Sequence, residues 1–412
     1  MTPDDVTIHT APANAAAPAT ARRVESIDAL RGLVMVIMAL DHVRDFVHRG
    51  AMLGSPTNLA TTTPILFFTR WITHLCAPAF MLTAGLGAYL WWQRGRTRRD
   101  LSVFLLTRGL WLIVLELTVM RLAYNFTFSA QYPLFLIVLW ALGLCMVALA
   151  ALVWLPLPVL AVLSIATIAG HNLLDGVDPA RLGGAAGLWS LLHQPGPVQL
   201  FGATGFVAYP LIPWIAVMAL GFCLGPVFRW DPARRMRFLT AIGAVATVGF
   251  VLLRGLNRYG DPAPWSVQPS PTFTLLSFLN TTKYPPSLSF LLMTLGPAFL
   301  ALAWFERWRV LAAQPLVVFG QVPLFYFVLH FYAAHLAAVL LALLRYGKDA
   351  WAFVFHPLPS MVGPSSPFPA GFGWDLWVVY LVWALIVVGL YPVCRWFAVV
   401  KARRRDWWLG YL

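Results

Sequence analysis

The chain alternates about ten long apolar runs with short polar or Gly/Pro-rich segments, and runs of this length cross a bilayer as helices. They lie at about 27–47, 64–92, 101–122, 131–154, 157–173, 204–228, 237–254, 286–304, 315–344 and 374–399. Pro156 and Pro158 make a turn between the fourth and fifth runs, and the ninth is long enough to tilt or break, with Pro323 inside it. The expected fold class is therefore all-α: a polytopic integral membrane protein of about ten transmembrane helices. Residues 1–25 are rich in Ala, Pro and Thr and lack an apolar core, so they read as a disordered tail and not as a signal peptide. Residues 26–400 form the transmembrane domain, and 401–412 a basic tail.

The charges provide a check on that count. Basic residues cluster at Arg22 and Arg23 before the first run, and then after the second (Arg94 to Arg99), sixth (Arg229 to Arg237), eighth (Arg307, Arg309) and tenth runs (Lys401 to Arg405). With ten spans all of these fall on one side, which the positive-inside rule makes cytosolic, with both termini there. Long loops at about 173–203, 255–285 and 345–373 then face outwards. Composition agrees, because 60% hydrophobic and 11% charged residues exclude an ordinary soluble domain. The net charge of +13 resides in the short clusters, so a nucleic-acid partner is not expected and membrane lipids are. Cys76, Cys145, Cys223 and Cys394 all lie inside apolar runs without metal-ligand spacing; they read as packing residues, and neither a disulfide nor a bound metal is expected.

Candidate chemistry concentrates in the first run. At ~100° per residue, the eleven steps from Arg31 to His42 return to within roughly 20° of one helix face, about 16 Å along the axis. Asp28, Met35, Met38 and Asp45 fall near the same stripe, and Asp41 adjoins His42. Ionisable groups in a spanning helix usually face a cavity or a partner, so a site is the first hypothesis, against interfacial anchoring. His42, with Asp45 three residues on to fix its tautomer, is a candidate general base. Arg70 and His74 sit one turn apart in the second run. Glu116 in the third run is expected to join them in a polar cluster, with a purely structural ion pair as the alternative. His330 and His335 stand in an aromatic setting and read as packed, hydrogen-bonded histidines. Lys283, beside Pro285 and Pro286, is either an interfacial anchor or a binding group for an acidic acceptor. No phosphate loop, G-x-S-x-G or H-E-x-x-H occurs, so nucleotide hydrolysis, serine hydrolase and zinc protease readings lack support.

Two segments carry a resemblance: Ser26-Ile27-Asp28-Ala29-Leu30-Arg31-Gly32 with its apolar run, and Phe68-Thr69-Arg70-Trp71-Ile72-Thr73-His74-Leu75-Cys76-Ala77-Pro78. They resemble bacterial members of the heparan-α-glucosaminide N-acetyltransferase catalytic-domain family, and Glu116 and Thr282-Lys283-Tyr284-Pro285-Pro286 look similar to later motifs of that group. Arg31 and His42 are also similar to the Arg-x10-His pattern of the acyltransferase-3 family. The resemblance implies a ten- or eleven-helix acyltransferase of the bacterial inner membrane. It implies acetyl-CoA or another acyl-CoA as donor, bound near Arg31 and Asp28, and a glycan or similar hydroxyl or amine acceptor on the far side. It also places the lysosomal enzyme's catalytic histidine slightly later than His42, which makes His48 a rival base, alongside His74. A homodimer stays open. A secondary transporter using the same intramembrane charges as a proton relay is the alternative, although no symmetry between halves supports it.

Overall fold

In the computed structural model, residues 24–52, 54–200, 202–307, 314–356, 368–369, 371–404 and 406–411 are described. The expected tail over residues 1–25 lies almost wholly outside them.

The protein is 74% helical, with one small three-stranded sheet among the described residues. Helix α1 (Glu25–Val47) is central, and α2 (Pro64–Trp71) passes through a 3-10 turn at Ile72–Leu75 into α3 (Cys76–Trp92). Next come α4 (Arg98–Leu115), a π turn at Glu116–Met120, α5 (Arg121–Asn125), β1 (Leu134–Leu136), α6 (Val138–Leu152) and α7 (Leu157–Gly170). A 3-10 turn at His171–Leu174, α8 (Ala186–Leu192), β2 (Gly196–Leu200) and β3 (Ala203–Val207) lead to α9 (Leu211–Cys223). The remaining α-helices among the described residues are α10 (Pro232–Leu256), α11 (Pro271–Leu279), α12 (Leu288–Arg307), α13 (Gln314–Gln321), α14 (Pro323–Tyr346) and α15 (Leu376–Arg403).

Eight helical segments of the described residues are long and apolar enough to cross a membrane. The other two expected spans are α1 and α6. Helix α1 has the length, 23 residues, but carries Glu25, Asp28, Arg31, Asp41, Arg44 and Asp45; α6 is only 15 residues long. Local chemistry explains where helices start. Thr97 and Asp100 form a reciprocal capping box for α4, and Asp231 accepts from the Arg234 amide ahead of Pro232. Glu25 and Asp28 in the first turn of α1, and Arg44 in the last, complement the helix dipole.

The expected ninth span breaks between α13 and α14 at Val322, because Pro323 has no amide to continue the ladder and instead starts a new helix. Two expected spans also begin with strands. Leu134–Leu136 and Ala203–Val207 pair in parallel, with Leu136 opposite Val207, and β2 adds to β3 antiparallel. Helix α9 therefore starts only after Pro210.

Helix α1 packs against α3, α12, α13, α14 and α15, and most of its length is buried. Its approach to α13 is backbone to backbone. A Cβ on Gly32 would stand 1.8 Å from the Leu316 carbonyl oxygen, and one on Gly320 the same distance from that of Asp28. Small residues at such crossings let helices associate without a hydrophobic driving force. Helices α10 and α15, by contrast, have few buried residues and expose long apolar faces, as lipid-facing helices do.

Candidate active site

The two ends of α1 build two different environments. At its C-terminal end Asp41 accepts hydrogen bonds from Arg44 Nη2 at 2.8 Å and from Arg70 Nη1, while Arg44 Nη2 also reaches Asp45 Oδ1 at 2.8 Å. The guanidinium of Arg44 and the carboxylate of Asp41 are buried, so each charge has a partner where water is scarce. This network ties α1 to α2. It also corrects the expectation for Asp45, which pairs with Arg44 and not with His42. Lys283 lies close enough to Asp41 and His42 to act on both electrostatically, with its ammonium 5.2 Å from the Tyr284 ring centroid.

His42 is oriented by another histidine. Its Nδ1 lies 2.7 Å from Nε2 of His330, and Nδ1 of His330 lies 3.0 Å from the Tyr326 carbonyl oxygen. A carbonyl only accepts, so the hydrogen of neutral His330 sits on Nδ1 and its Nε2 offers a lone pair. His42 then donates from Nδ1 and keeps the lone pair of Nε2. The rings of Phe327 and Phe331 pack on His42 at 6.3 and 3.9 Å between centroids, and fully buried His330 is stacked against Tyr326. His42 keeps part of its surface exposed.

The N-terminal end of α1 lines a cavity of about 840 Å³, within the ~300–1,000 Å³ usual for small-molecule and cofactor sites. Asp28, Arg31 and Met35, successive turns of one α1 face, contribute to its wall. Arg94, Arg108 and Arg229 add three more guanidinium groups, so cationic side chains outnumber the single carboxylate of Asp28. Arg31 donates to the Thr83 carbonyl at 2.5 Å and lies 3.9 Å from Asp28. Gly87 leaves room for it: a Cβ there would stand 2.8 Å from Nη2. Arg108 donates to the Gly410 carbonyl, which brings the 3-10 turn Trp407–Tyr411 onto the cavity wall. Phe327 also lines the cavity, and its ring lies 5.6 Å from that of His330. The arginine-lined space and the histidine pair are thus one aromatic ring apart.

The remaining candidates fall elsewhere. Glu116 is buried in the π turn, and its carboxylate accepts from the Tyr124 hydroxyl at 2.7 Å and from the amides of Leu139 and Trp140 at 2.8 and 3.2 Å. It therefore caps the N-terminus of α6. The expected cluster with Arg70 and His74 is not formed: the former's ion-pair partner is Asp41, and the latter packs on Phe290 with no described hydrogen bond at Nδ1. His48 follows α1 and accepts from the Gly50 amide through Nδ1 at 3.0 Å. Burial, with Arg44 and Arg49 nearby, pushes this imidazole down to about 4. His335 donates from Nδ1 to the Ala123 carbonyl at 2.8 Å and stacks on Phe126, a packed, hydrogen-bonded setting. Sequence reasoning missed the link from His330 to His42, which are 288 residues apart and carry no local signal of contact.

Apolar helices around buried ion pairs, with a cationic cavity one aromatic ring away from paired histidines, define a multi-pass membrane protein with an internal polar site. A family model described as heparan-alpha-glucosaminide N-acetyltransferase, catalytic, matches residues 23–254, more than half of the chain, and the protein belongs to that family. The match includes α1 with Arg31 and His42 and stops before His330. A comparison with curated proteins finds no match.

Proposed function

We propose that the protein moves an acyl group, most simply acetyl, from a cytosolic acyl-CoA in the arginine-lined cavity to a hydroxyl or amine of a glycan-type acceptor arriving at the other end of α1. The single observation carrying this reading is the cavity lined by Arg31, Arg94, Arg108 and Arg229 and by Phe327, whose ring packs near the His42–His330 pair. Guanidinium groups suit the phosphates and carbonyl oxygens of a CoA donor. The pantetheine arm is comparable in length to the ~16 Å that separates Arg31 from His42 along α1, so its thioester would reach the base.

In this mechanism Nε2 of His42 takes the proton of the acceptor O–H or N–H as that atom attacks the thioester carbonyl carbon. The carbon–sulfur bond breaks, and the sulfur leaves with the proton held by His42. His330 positions the base and spreads the charge of the transient imidazolium. Asp41, Arg44, Arg70 and Lys283 would frame the acceptor. An acetyl-histidine intermediate is the alternative route. The basic clusters support a cytosolic position for both termini and the donor cavity in a bacterial inner membrane.

The test uses purified protein, radiolabelled acetyl-CoA and a glycan extract. Arg31→Ala is expected to weaken donor binding about 10–100-fold, with activity partly restored by excess donor. His42→Ala is expected to leave donor binding nearly intact and to lower transfer at saturating donor by about 10²–10⁴. His48→Ala should transfer normally. Retained transfer in His42→Ala with loss in His48→Ala would move the base to the other histidine, and indifference to both would refute the site.

A further inference from the structure

A second group of chemically able side chains lies away from this site, where α7 ends. His171, Asp175 and His193 each offer one ligand atom, and these atoms all lie within 4.8 Å of one another. His171 and His193 are almost completely buried, at 3% and 0% exposure. Neither ring nitrogen of His171 has a hydrogen-bond partner among the described residues, and Nδ1 of His193 has none either. A neutral imidazole needs an acceptor for one nitrogen and a donor for the other, so a sealed ring satisfying neither is a cost the fold would not ordinarily carry. We propose that the three side chains bind one zinc-class divalent cation per chain, with a water in the fourth tetrahedral position.

The carboxylate of this group is held in place by its neighbours. His193 Nε2 lies 3.0 Å from Oδ1 of Asp175, the arrangement of two ligands sharing a proton where a cation would stand. The other carboxylate oxygen, Oδ2, accepts from the Asn172 amide at 2.7 Å, which holds Oδ1 towards the histidines. Asn172 is itself fixed, because its carbonyl oxygen accepts from the Leu288 amide at the start of α12. Gln194, next to His193, donates to the Asp175 and Val177 carbonyls, both at 3.2 Å. Orienting hydrogen bonds of this kind accompany metal ligands and set their direction. The two imidazole rings stand 5.9 Å apart at 64°, so their edges converge instead of stacking.

Tetrahedral zinc, with Zn–N of about 2.0–2.1 Å, places ligand atoms ~3.3 Å apart, so binding would draw these atoms, now within 4.8 Å of one another, together to that spacing. On binding, the His193 proton moves to Nδ1 and Nε2 turns its lone pair to the cation. Two imidazoles and one carboxylate suit zinc among the N/O-binding cations, and no thiol is present to favour a softer one. Bound metal would join the end of α7, the segment after α8 and, through Asn172, the start of α12. The sequence reading expected no metal because it weighed cysteine spacing; here the ligands follow a His-x3-Asp-x17-His pattern.

The experiment uses the full chain purified in detergent through a tag without histidines, stripped with chelator and titrated with Zn2+ or Co2+ alone. Wild type is expected to take up one equivalent of zinc, to melt at higher temperature with zinc present, and to show the intense visible bands of tetrahedral Co2+. His171→Ala and His193→Ala should lose the bands and the thermal shift, and Asn172→Ala should weaken binding about 10–100-fold. Asp175→Asn, which keeps the shape of the group, gives the same readout if the alanine variants do not fold. Substoichiometric zinc with no tetrahedral Co2+ spectrum in wild type, or unchanged binding in the ligand variants, would overturn the proposal.

Discussion

Replacing Gly32 or Gly320 with alanine tests whether the site rests on the backbone contact between α1 and α13. Ordinary contact of a Cβ begins near 3.4 Å, whereas the Cβ of either alanine would lie 1.8 Å from a carbonyl oxygen of the facing helix. Both obstacles are backbone, so no side chain can swing aside and the helices must separate by about the missing 1.6 Å. Overpacking costs about 1–3 kcal/mol where side chains yield and more where backbone must move, while alanine returns only about 0.5–1 kcal/mol of helix preference. A net loss of about 2 kcal/mol or more per substitution follows, or roughly 2 °C or more in melting temperature at about 2.1 cal/mol/K of unfolding entropy per residue over 412 residues. Gly389 on α15 is the control, since a Cβ there meets nothing within 4 Å and its replacement should be neutral or slightly stabilising. The assay is thermal unfolding in detergent at a fixed scan rate, because membrane proteins often unfold irreversibly. Asp28 lies opposite Gly320 and both it and Arg31 line the cavity, so donor binding should fall together with stability. Gly32→Ala and Gly320→Ala variants that melt with Gly389→Ala, within about 1 °C of the parent, would refute the reasoning.

Two further outcomes are expected. Glu116→Leu should cost about 3 kcal/mol, because the amides of Leu139 and Trp140 lose their acceptor at the start of α6, whereas Glu116→Gln should cost about 1 kcal/mol; equal melting temperatures for the two variants would count against the capping role. In intact cells, a membrane-impermeant thiol reagent applied outside should label Gly184→Cys but not Arg98→Cys, and the reverse pattern would invert the proposed topology.

Much of the helical scaffold was legible because lipid forces every backbone group of a span into its own helix, leaving long apolar runs as the signature. The face of α1 was legible for the same reason: helical geometry alone puts Asp28, Arg31 and Met35 on one wall, and they line the cavity. Short elements were not. An apolar run of three to five residues, such as 134–136 or 203–207, has no period long enough to separate strand from helix, so both were absorbed into neighbouring spans. Partner choice was also hidden. Glu116 was expected to pair with Arg70 or His74 of the second span, but a buried helix N-terminus is an equally good partner for a carboxylate and leaves no charge in the residue pattern.

The same limit explains the misassigned partner of His42. A carboxylate three residues away is the familiar way to orient a catalytic imidazole, and Asp45 offers one in the right place along α1. Between spanning helices that solution sets a further charge in a medium that penalises charge, and here Asp45 is already drawn to Arg44, whose guanidinium also reaches Asp41. A second imidazole achieves the orientation without net charge: the Tyr326 carbonyl fixes the tautomer of His330, which in turn fixes that of His42. In the proposed mechanism the cost would move to the stage of reaction, when His42 would become positive, and neutral His330 would stabilise that cation less than a carboxylate. The nearby Asp41–Arg44–Asp45–Arg70 network would, in that mechanism, frame the acceptor while its ion pairs keep the carboxylates from competing strongly for the proton that His42 takes. On the proposed reading, positioning by a neutral partner, with charge confined to a separate network, is how one helix with seven ionisable residues would offer His42 as the base.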